Sequence, residues 1–142
     1  VPCSCGATAH LEPIGAGPGI IREYIRLGGD EFCADGSPMH GAEIDRRAAA
    51  GDPAAVAAEA RAGRALGEVM GSMCNMLDPS CMILSGSVAQ CGPAWSDAMR
   101  AGFAEQAMPP VANTPIIGGE LGGDAPLIGA AESFVRSAYV EI

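Results

Sequence analysis

The chain has 142 residues, a length that fits one domain or a large piece of one and that permits a substantial core. Its 8 basic and 17 acidic residues give a net charge of -9, so the composition argues against nucleic-acid binding by this segment. No apolar run reaches the roughly 20 residues of a membrane-spanning helix, and we therefore expect a soluble protein with no membrane partner.

The sequence begins without an initiator methionine or a leader typical of a signal peptide. We therefore expect it to be the C-terminal part of a longer protein. Six cysteines could form disulfides, but the missing leader and the apolar surroundings of Cys74 and Cys81 favour free thiols in a reducing cytoplasm. Of the six, Cys3 and Cys5 have a spacing that suggests chemistry.

The first half of the chain is predicted to be helical after an initial loop. The pattern predicts a loop over 1–14, a helix from 17 to about 27, a turn-rich segment over 30–40 and helices over 41–50 and 52–77. Asp52 and Pro53 are favoured residues at a helix start. The long helix has an apolar stripe whose small middle residues indicate a close contact with another element: Val56, Ala60, Gly63, Gly67, Met70, Cys74 and Leu77.

The second half alternates short strands with helices. Residues 81–84 predict a buried parallel strand, and residues 114–117 predict a weaker second strand. A helix from Pro93 has an apolar face made of Trp95, Met99 and Phe103. A last helix over about 126–139 is predicted to face inward with Leu127, Ala130, Ala131, Phe134 and Ala138. This order predicts an α/β domain in which helices cover a parallel sheet. Two strands are too few for a stable sheet, so we expect further strands upstream, and we find no internal repeat.

Two cysteines and a histidine lie close together near the start of the chain. Cys3, Cys5 and His10 offer two sulfur atoms and an imidazole nitrogen, which suit tetrahedral zinc with a fourth ligand from elsewhere. Gly6 permits the tight turn that would bring both thiols to one ion. The alternative is a loop that binds nothing, and the spacing by itself leaves both interpretations open.

Two further segments are candidates for ligand contacts. Glu12 could accept hydrogen bonds from adjacent sugar hydroxyls, or it could be a solvated surface charge. Ser85, Gly86 and Ser87 follow a predicted strand, at the edge where α/β sheets bind ligands. Small residues there let backbone N–H groups approach a nucleotide, although ordinary turns have similar sequences. Glycines follow the second strand in the same way.

Four segments, in order along the chain, resemble the ROK family (repressors, open reading frames and kinases). Residues 3–12 (CSCGATAHLE) resemble its zinc-loop signature, C-x-C-G-x-x-G-C-x-E, and residues 16–20 (AGPGI) resemble the segment that follows. Residues 77–88 (LDPSCMILSGSV) are similar to the family's LDP…ILGGGV strand and nucleotide turn. Residues 121–131 (LGGDAPLIGAA) resemble its C-terminal LG-x-DAGLIGAA.

The resemblance implies an α/β fold of the actin-like ATPase (ribonuclease-H-like) class. Residues 1–142 would be its C-terminal lobe, with a zinc and sugar-site loop over 1–14 and a nucleotide-side lobe over 15–142. His10 stands where the signature has its third cysteine, and Ser85 replaces a glycine of the nucleotide turn. The implied site residues are the zinc ligands Cys3, Cys5 and His10, the sugar-binding Glu12, and the adenosine-site residues Ser85, Gly86 and Ser87.

The activity that the resemblance implies is that of a cytoplasmic, homodimeric sugar kinase. The whole protein would transfer the γ-phosphoryl group of ATP, with Mg²⁺, to a glucose-like hexose. The phosphate loop, the catalytic aspartate and the last zinc ligand would lie in an N-terminal lobe upstream, so we expect the 142 residues alone to be inactive. The alternative is the sugar-sensing lobe of a ROK repressor, which carries a helix-turn-helix upstream. The presence of Glu12 and of the nucleotide turn favours the kinase.

Overall fold

The computed structural model describes residues 1–8 and 10–139, with side chains to residue 137. Its helices and strands follow the predicted alternation, except that the predicted loop over 1–14 is wrong at its end, where the short helix α1 begins at Glu12. The elements are α1 (Glu12–Gly15), α2 (Gly17–Arg26), α3 (Gly41–Ala49), α4 (Pro53–Leu77), β1 (Met82–Leu84), α5 (Pro93–Gln106), β2 (Ile116–Gly118) and α6 (Ala125–Tyr139).

The ends of the helices lie where the capping residues predict. Asp52 Oδ1 accepts hydrogen bonds from the backbone N–H groups of Ala54 and Ala55 at 2.8 and 3.2 Å, which caps α4. Helix α2 ends at Arg26, and Gly28 beyond it has a φ of 94°, in the left-handed region that favours glycine. These local signals fix the helix boundaries before any tertiary contact is considered.

Helices α4 and α5 pack along a contact lined with glycine. A Cβ atom at Gly63 or Gly67 of α4 would overlap the backbone carbonyl oxygen of Trp95 or Met99 of α5. Gly102 of α5 faces the backbone of α4 in the same way. The predicted close contact at the small residues is therefore confirmed, because a side chain at these positions would separate the two helices.

The core lies between α4, α5, α2 and α3. The predicted face of α5 is confirmed, since Trp95, Met99 and Phe103 are all buried. The predicted stripe of α4 is wrong at its two ends, where Val56 and Leu77 are exposed. The C-terminal end of α5 lies against Gly71, so Leu77 extends beyond the neighbour that covers the middle of the helix.

The two strands pair in parallel, with Met82 opposite Ile116 and Leu84 opposite Gly118. The parallel pairing confirms the α/β prediction, but the prediction of a buried strand is wrong. Met82 and Leu84 pack against the core, whereas Ile83 is 64 % exposed. Alternate residues of a strand point to opposite faces, and no described element covers the second face of this pair.

Helix α6 differs from the other long helices because its apolar residues are uncovered. Leu127 and Phe134, which were predicted to face inward, are 72 % and 70 % exposed, and Ala130 and Ala131 are exposed as well. The side chain of Ala138 lies outside the described residues. The prediction that these residues face inward is therefore wrong, because a periodic pattern contains no information about which element, if any, covers an apolar side. Within the described ranges, no helix has the length and hydropathy needed to cross a membrane.

Candidate functional site

The loop that precedes α1 brings the three predicted metal ligands together. The donor atoms of Cys3, Cys5 and His10 lie within 4.8 Å of one another, and Cys5 Sγ is 3.4 Å from His10 Nδ1. Tetrahedral zinc with bonds of about 2.0–2.3 Å holds its ligand atoms roughly 3.5–3.8 Å apart. The separations in this loop therefore fit a zinc ion with small adjustments of the side chains.

Backbone hydrogen bonds give the loop its shape. The N–H of Cys3 donates to Ala7 O at 2.8 Å, and the N–H of Gly6 donates to Cys3 O at 3.0 Å. Gly6 has a φ of 89°, which the tight turn requires. Hydrogen bonds from the Cys5 backbone and the His10 ring hold the pKa of the Cys3 thiol below its usual value. The loop therefore favours the thiolate form that binds metal ions.

Glu12 lies at the surface, next to this cluster. It is the first residue of α1, and the Cys3 thiol donates to Glu12 Oε2 across 3.7 Å. The structure thus places the predicted sugar-binding carboxylate against a predicted metal ligand. A metal ion that fixed the loop would also restrict the position of this carboxylate.

The predicted nucleotide turn directly follows β1. Ser85, Gly86 and Ser87 are exposed, and Gly86 has a φ of 99°. The N–H of Gly119 donates to Leu84 O at 2.7 Å, so the glycine-rich segment after β2 lies at the same edge of the sheet. The two predicted turns are therefore adjacent, at the carboxyl ends of parallel strands, where α/β folds bind ligands.

A cavity of about 470 Å³ begins beside this turn, and Ser87 forms part of its wall. The segment 88–91 after the turn also lines the cavity, and α2, α3 and α4 contribute residues such as Gly17, Gly41 and Glu59. The lining includes the buried core residue Ile20 and the buried Glu59. Of the predicted site residues, Ser87 thus reaches a cavity, whereas Cys3, Cys5 and His10 form a surface cluster.

A second cluster, which no pattern in the sequence predicted, lies in the wall of this cavity. The donor atoms of Asp45, Glu59 and Cys91 lie within 4.8 Å of one another. These residues come from α3, α4 and the segment before α5, so their sequence spacing contains no signal of proximity. The one available signal is Glu59 itself, because it falls between Ala55 and Ala62 on the buried face of α4, where a carboxylate is unusual.

The structure also reveals a local repeat, so the prediction of no internal repeat is wrong. Residues 32–38 have the backbone conformation of residues 2–8, thirty positions earlier. The N–H of Cys33 donates to Ser37 O at 2.8 Å, the N–H of Gly36 donates to Cys33 O at 3.0 Å, and Gly36 has a φ of 83°. In both loops a histidine follows two residues after the end of the shared conformation, namely His10 and His40.

The chain matches a known protein family over most of its length. The model of the ROK family matches residues 1–136. No curated protein matches the chain.

Solved structures resemble the fold closely. A ROK hexokinase from Thermus thermophilus is 27 % identical, with a TM-score of 0.74, and the match covers 92 % of this chain and 42 % of that one. A ROK family glucokinase from Streptomyces griseus, solved with glucose and AMPPNP, is 25 % identical, with a TM-score of 0.75, and the match covers 93 % of this chain and 46 % of that one.

A ROK family transcriptional regulator, described as a homolog of the E. coli MLC protein, shares the fold as well. It is 24 % identical, with a TM-score of 0.70, and the match covers 83 % of this chain and 31 % of the regulator. The chain thus spans less than half the length of each of these three proteins.

Proposed function

The chain belongs to the ROK family, and from this premise we propose that the whole protein is a sugar kinase. It transfers the γ-phosphoryl group of ATP, with Mg²⁺, to a hydroxyl group of a glucose-like hexose. The observation that carries this proposal is the similarity, over 93 % of the chain, to a glucokinase whose structure contains glucose and AMPPNP. In this proposal residues 1–14 form the zinc and sugar-site loop, and residues 15–142 form the nucleotide-side lobe.

On the sugar side, the proposal assigns Cys3, Cys5 and His10 to a structural zinc ion. When bound, the ion would make the loop rigid, because it would hold Cys3 and Cys5 at one end of the loop and His10 at the other. Glu12 then accepts hydrogen bonds from a sugar hydroxyl, and its position two residues after His10, with Oε2 3.7 Å from Cys3 Sγ, supports the assignment of this carboxylate to the same region as the loop. The last zinc ligand comes from outside this chain.

On the nucleotide side, the proposal assigns Ser85, Gly86 and Ser87 to the adenosine end of ATP. Their position after β1, their small side chains and the adjacent cavity of about 470 Å³ support this assignment. The hydroxyl of Ser85, which replaces a glycine of the family pattern, adds a hydrogen-bonding group beside the nucleotide. Phosphoryl transfer further needs a base and a phosphate-binding loop, which the proposal places in an N-terminal lobe.

The proposal also includes a homodimer in the cytoplasm, with no membrane or nucleic-acid partner through this segment. Apolar surface supports the expectation of further packing partners. Ile83 and Ile117 on the sheet, and Leu127 and Phe134 on α6, are 47 % exposed or more. Exposed apolar faces on a strand pair and on a helix are often covered by another domain or subunit.

The test is ATP-dependent phosphorylation of a panel of hexoses by the whole protein, with glucose first. Glu12→Gln keeps the shape of the side chain but removes the charge, so we expect kcat/KM for the hexose to fall about 10–100-fold, as for the loss of a charged hydrogen bond. Glu31→Gln changes another exposed glutamate and serves as the matched control. Absence of phosphorylation across the panel would contradict the proposal.

The same experiment separates the kinase from the alternative function. The alternative is the sugar-sensing lobe of a ROK repressor, since a transcriptional regulator shares this fold. A protein without turnover that binds DNA and releases it when a hexose is added would be the repressor. A protein that turns over ATP in the presence of the hexose would be the kinase.

A further inference from the structure

We propose that Asp45, Glu59 and Cys91 bind a divalent cation of the zinc class, at a site separate from the loop of Cys3, Cys5 and His10. One donor atom from each residue lies within 4.8 Å of the others. The residues belong to α3, to α4 and to the segment just before α5, so the packing of these elements creates the cluster. All three line the cavity of about 470 Å³.

The buried carboxylate of Glu59 is the observation that points to a ligand. Glu59 is 1 % exposed, and neither Oε1 nor Oε2 has a hydrogen-bond partner among the described residues. A carboxylate that loses its hydration without gaining a partner is costly to bury. A cation bonded to the ionised carboxylate would compensate for the lost hydration, whereas without a cation burial favours the protonated acid.

The neighbouring Asp45 carboxylate is already held in place. The N–H of Gly92 donates to Asp45 Oδ1 at 2.7 Å, a bond between α3 and the start of α5. Such a bond fixes the direction of the carboxylate and reduces the freedom that would be lost on binding a metal. Asp45 is therefore oriented toward Glu59 and Cys91 by the fold itself.

The donor set selects the class of cation. A thiolate with two carboxylates suits zinc and similar borderline-soft ions, whereas Mg²⁺ and Ca²⁺ prefer shells made only of oxygen. Once ionised, the thiolate and the two carboxylates together more than neutralise the charge of one divalent ion. With three ligands from the protein, a tetrahedral ion keeps one position for water or a small ligand from the cavity.

Binding must displace protons, because the cluster is not fully ionised without a cation. Burial, together with the Glu59 and Asp45 carboxylates, raises the pKa of Cys91 to about 12. Burial, and next the Asp45 carboxylate, raises the pKa of Glu59 to about 7. When the cation binds, the thiol proton and any proton on Glu59 pass to the solvent, and the freed electron pairs of sulfur and oxygen form the bonds to the metal.

The test uses Co²⁺ as a spectroscopic substitute for Zn²⁺, in protein that contains this whole chain. The double substitution Cys3→Ser and Cys5→Ser removes the sulfur ligands of the loop, so any remaining thiolate–cobalt absorption reports the second site. We expect this double variant to bind one Co²⁺ per chain and to show a sulfur-to-cobalt charge-transfer band. One equivalent of Zn²⁺ should displace the Co²⁺ and remove the band. Circular dichroism of the same samples shows whether each variant is folded.

Substitutions within the cluster then identify the ligands. We expect Cys91→Ser to abolish the charge-transfer band and Glu59→Gln to weaken Co²⁺ binding by at least about tenfold, the size that even outer-shell changes produce. Cys81→Ser is the matched control, because Cys81 is equally half-buried but lies outside the cluster.

If the double variant does not fold, wild-type protein and Cys91→Ser are compared directly, with an expected difference of one Co²⁺ per chain. A folded double variant without the charge-transfer band, or a band of the double variant that survives Cys91→Ser, would overturn the proposal. In the direct comparison, equal Co²⁺ content of wild-type protein and Cys91→Ser would overturn it.

Discussion

The loops over residues 2–8 and 32–38 share one backbone but carry different side chains. Each has the same pair of turn hydrogen bonds, from Cys3 and Gly6 in the first and from Cys33 and Gly36 in the second. In the first loop, Cys5 Sγ lies 3.4 Å from His10 Nδ1 and the donor atoms converge. In the second, the corresponding residues are Asp35 and His40, and they do not form such a cluster.

The second loop uses its polar groups for its own structure. Asp35 Oδ1 accepts hydrogen bonds from the N–H and the hydroxyl of Ser37, at 2.9 and 2.6 Å. His40 Nδ1 accepts a hydrogen bond from the N–H of Glu43 at 3.3 Å and thereby caps α3. In the first loop, α1 begins after Leu11 without a side-chain cap, which leaves His10 free to face the cysteines. The comparison teaches that the loop backbone is not itself a metal site. In the second loop, Asp35 stands in the position of Cys5, and the ring of His40 caps α3 instead of facing a cysteine.

The largest expected difference between the loops is in metal content. Cys3→Ser with Cys5→Ser should lower the zinc content of the whole protein by about one ion per chain, because both sulfur ligands are lost. Cys33→Ser, the matched change in the second loop, should leave the zinc content unchanged. Metal analysis after gel filtration measures both. A double variant that kept the full zinc content would show that this loop is not the site.

The next largest effect is on the free energy of unfolding, and it tests the left-handed glycine that both loops share. Gly6→Ala and Gly36→Ala should each destabilise the protein by about 1–2 kcal/mol, because both glycines adopt left-handed φ angles that disfavour a side chain. A Cβ atom at either position would meet no atom within 4 Å, so backbone strain is the whole cost. Urea unfolding in the presence of EDTA measures it.

The control for these two variants is Gly41→Ala, at the first residue of α3. This position is equally open but does not have a left-handed φ, so alanine should be neutral there or slightly stabilising. Equal effects at all three glycines would contradict the strain argument. Gly6→Ala should, in addition, weaken zinc binding, which Gly36→Ala should not do.

Much of the fold could be predicted because its signals are local. Asp52 with Pro53 marks the start of α4, and Gly63 with Gly67 predicted the close contact with α5. The repeat was missed although both loops contain the pattern C-x-x-G-x-x-x-H, as CSCGATAH over 3–10 and CADGSPMH over 33–40, because the two loops are identical at only these three positions. Backbone conformation depends on the shared glycine far more than on the variable positions around it.

The candidate site was predictable only where its residues are near in sequence. The cluster of Cys3, Cys5 and His10 lies within one loop, so its spacing revealed it. Glu59 and Cys91 are brought together by the packing of α4 against the start of α5, which a spacing cannot encode. The exposed faces of α6 and of the strand pair have the same explanation, because periodicity identifies an apolar side but not its partner.

A smaller effect should distinguish the two histidines. His40→Ala removes the cap of α3 and should cost about 0.5–1 kcal/mol of the free energy of unfolding. His10→Ala, measured with EDTA present, should cost less, since His10 caps no helix. With zinc present the order should reverse, because His10→Ala also loses a metal ligand. If His40→Ala and His10→Ala lowered the free energy of unfolding equally in EDTA, the capping bond of His40 would not contribute to stability.

The smallest effect concerns Asp35, the residue that replaces the second cysteine of the metal loop. Asp35→Ala should lower the Tm slightly at pH 7, because the turn loses its bonds to Ser37. Those bonds, led by the Ser37 hydroxyl, hold the pKa of Asp35 below its usual value. The stabilisation is therefore complete above the usual aspartate pKa of about 3.9 and is lost as the pH falls through the lower, folded-state value.

It follows that the Tm difference between wild type and Asp35→Ala should shrink in acid, as measured by thermal unfolding at several pH values. Asp35→Asn keeps an oxygen acceptor for Ser37 but cannot titrate, so its difference from Asp35→Ala should not depend on pH. A difference between wild type and Asp35→Ala that stayed constant down to pH 2 would show that the charge of Asp35 is not what holds the turn. The second loop would then depend on its glycine and its backbone bonds alone, as the first loop does when no metal is bound.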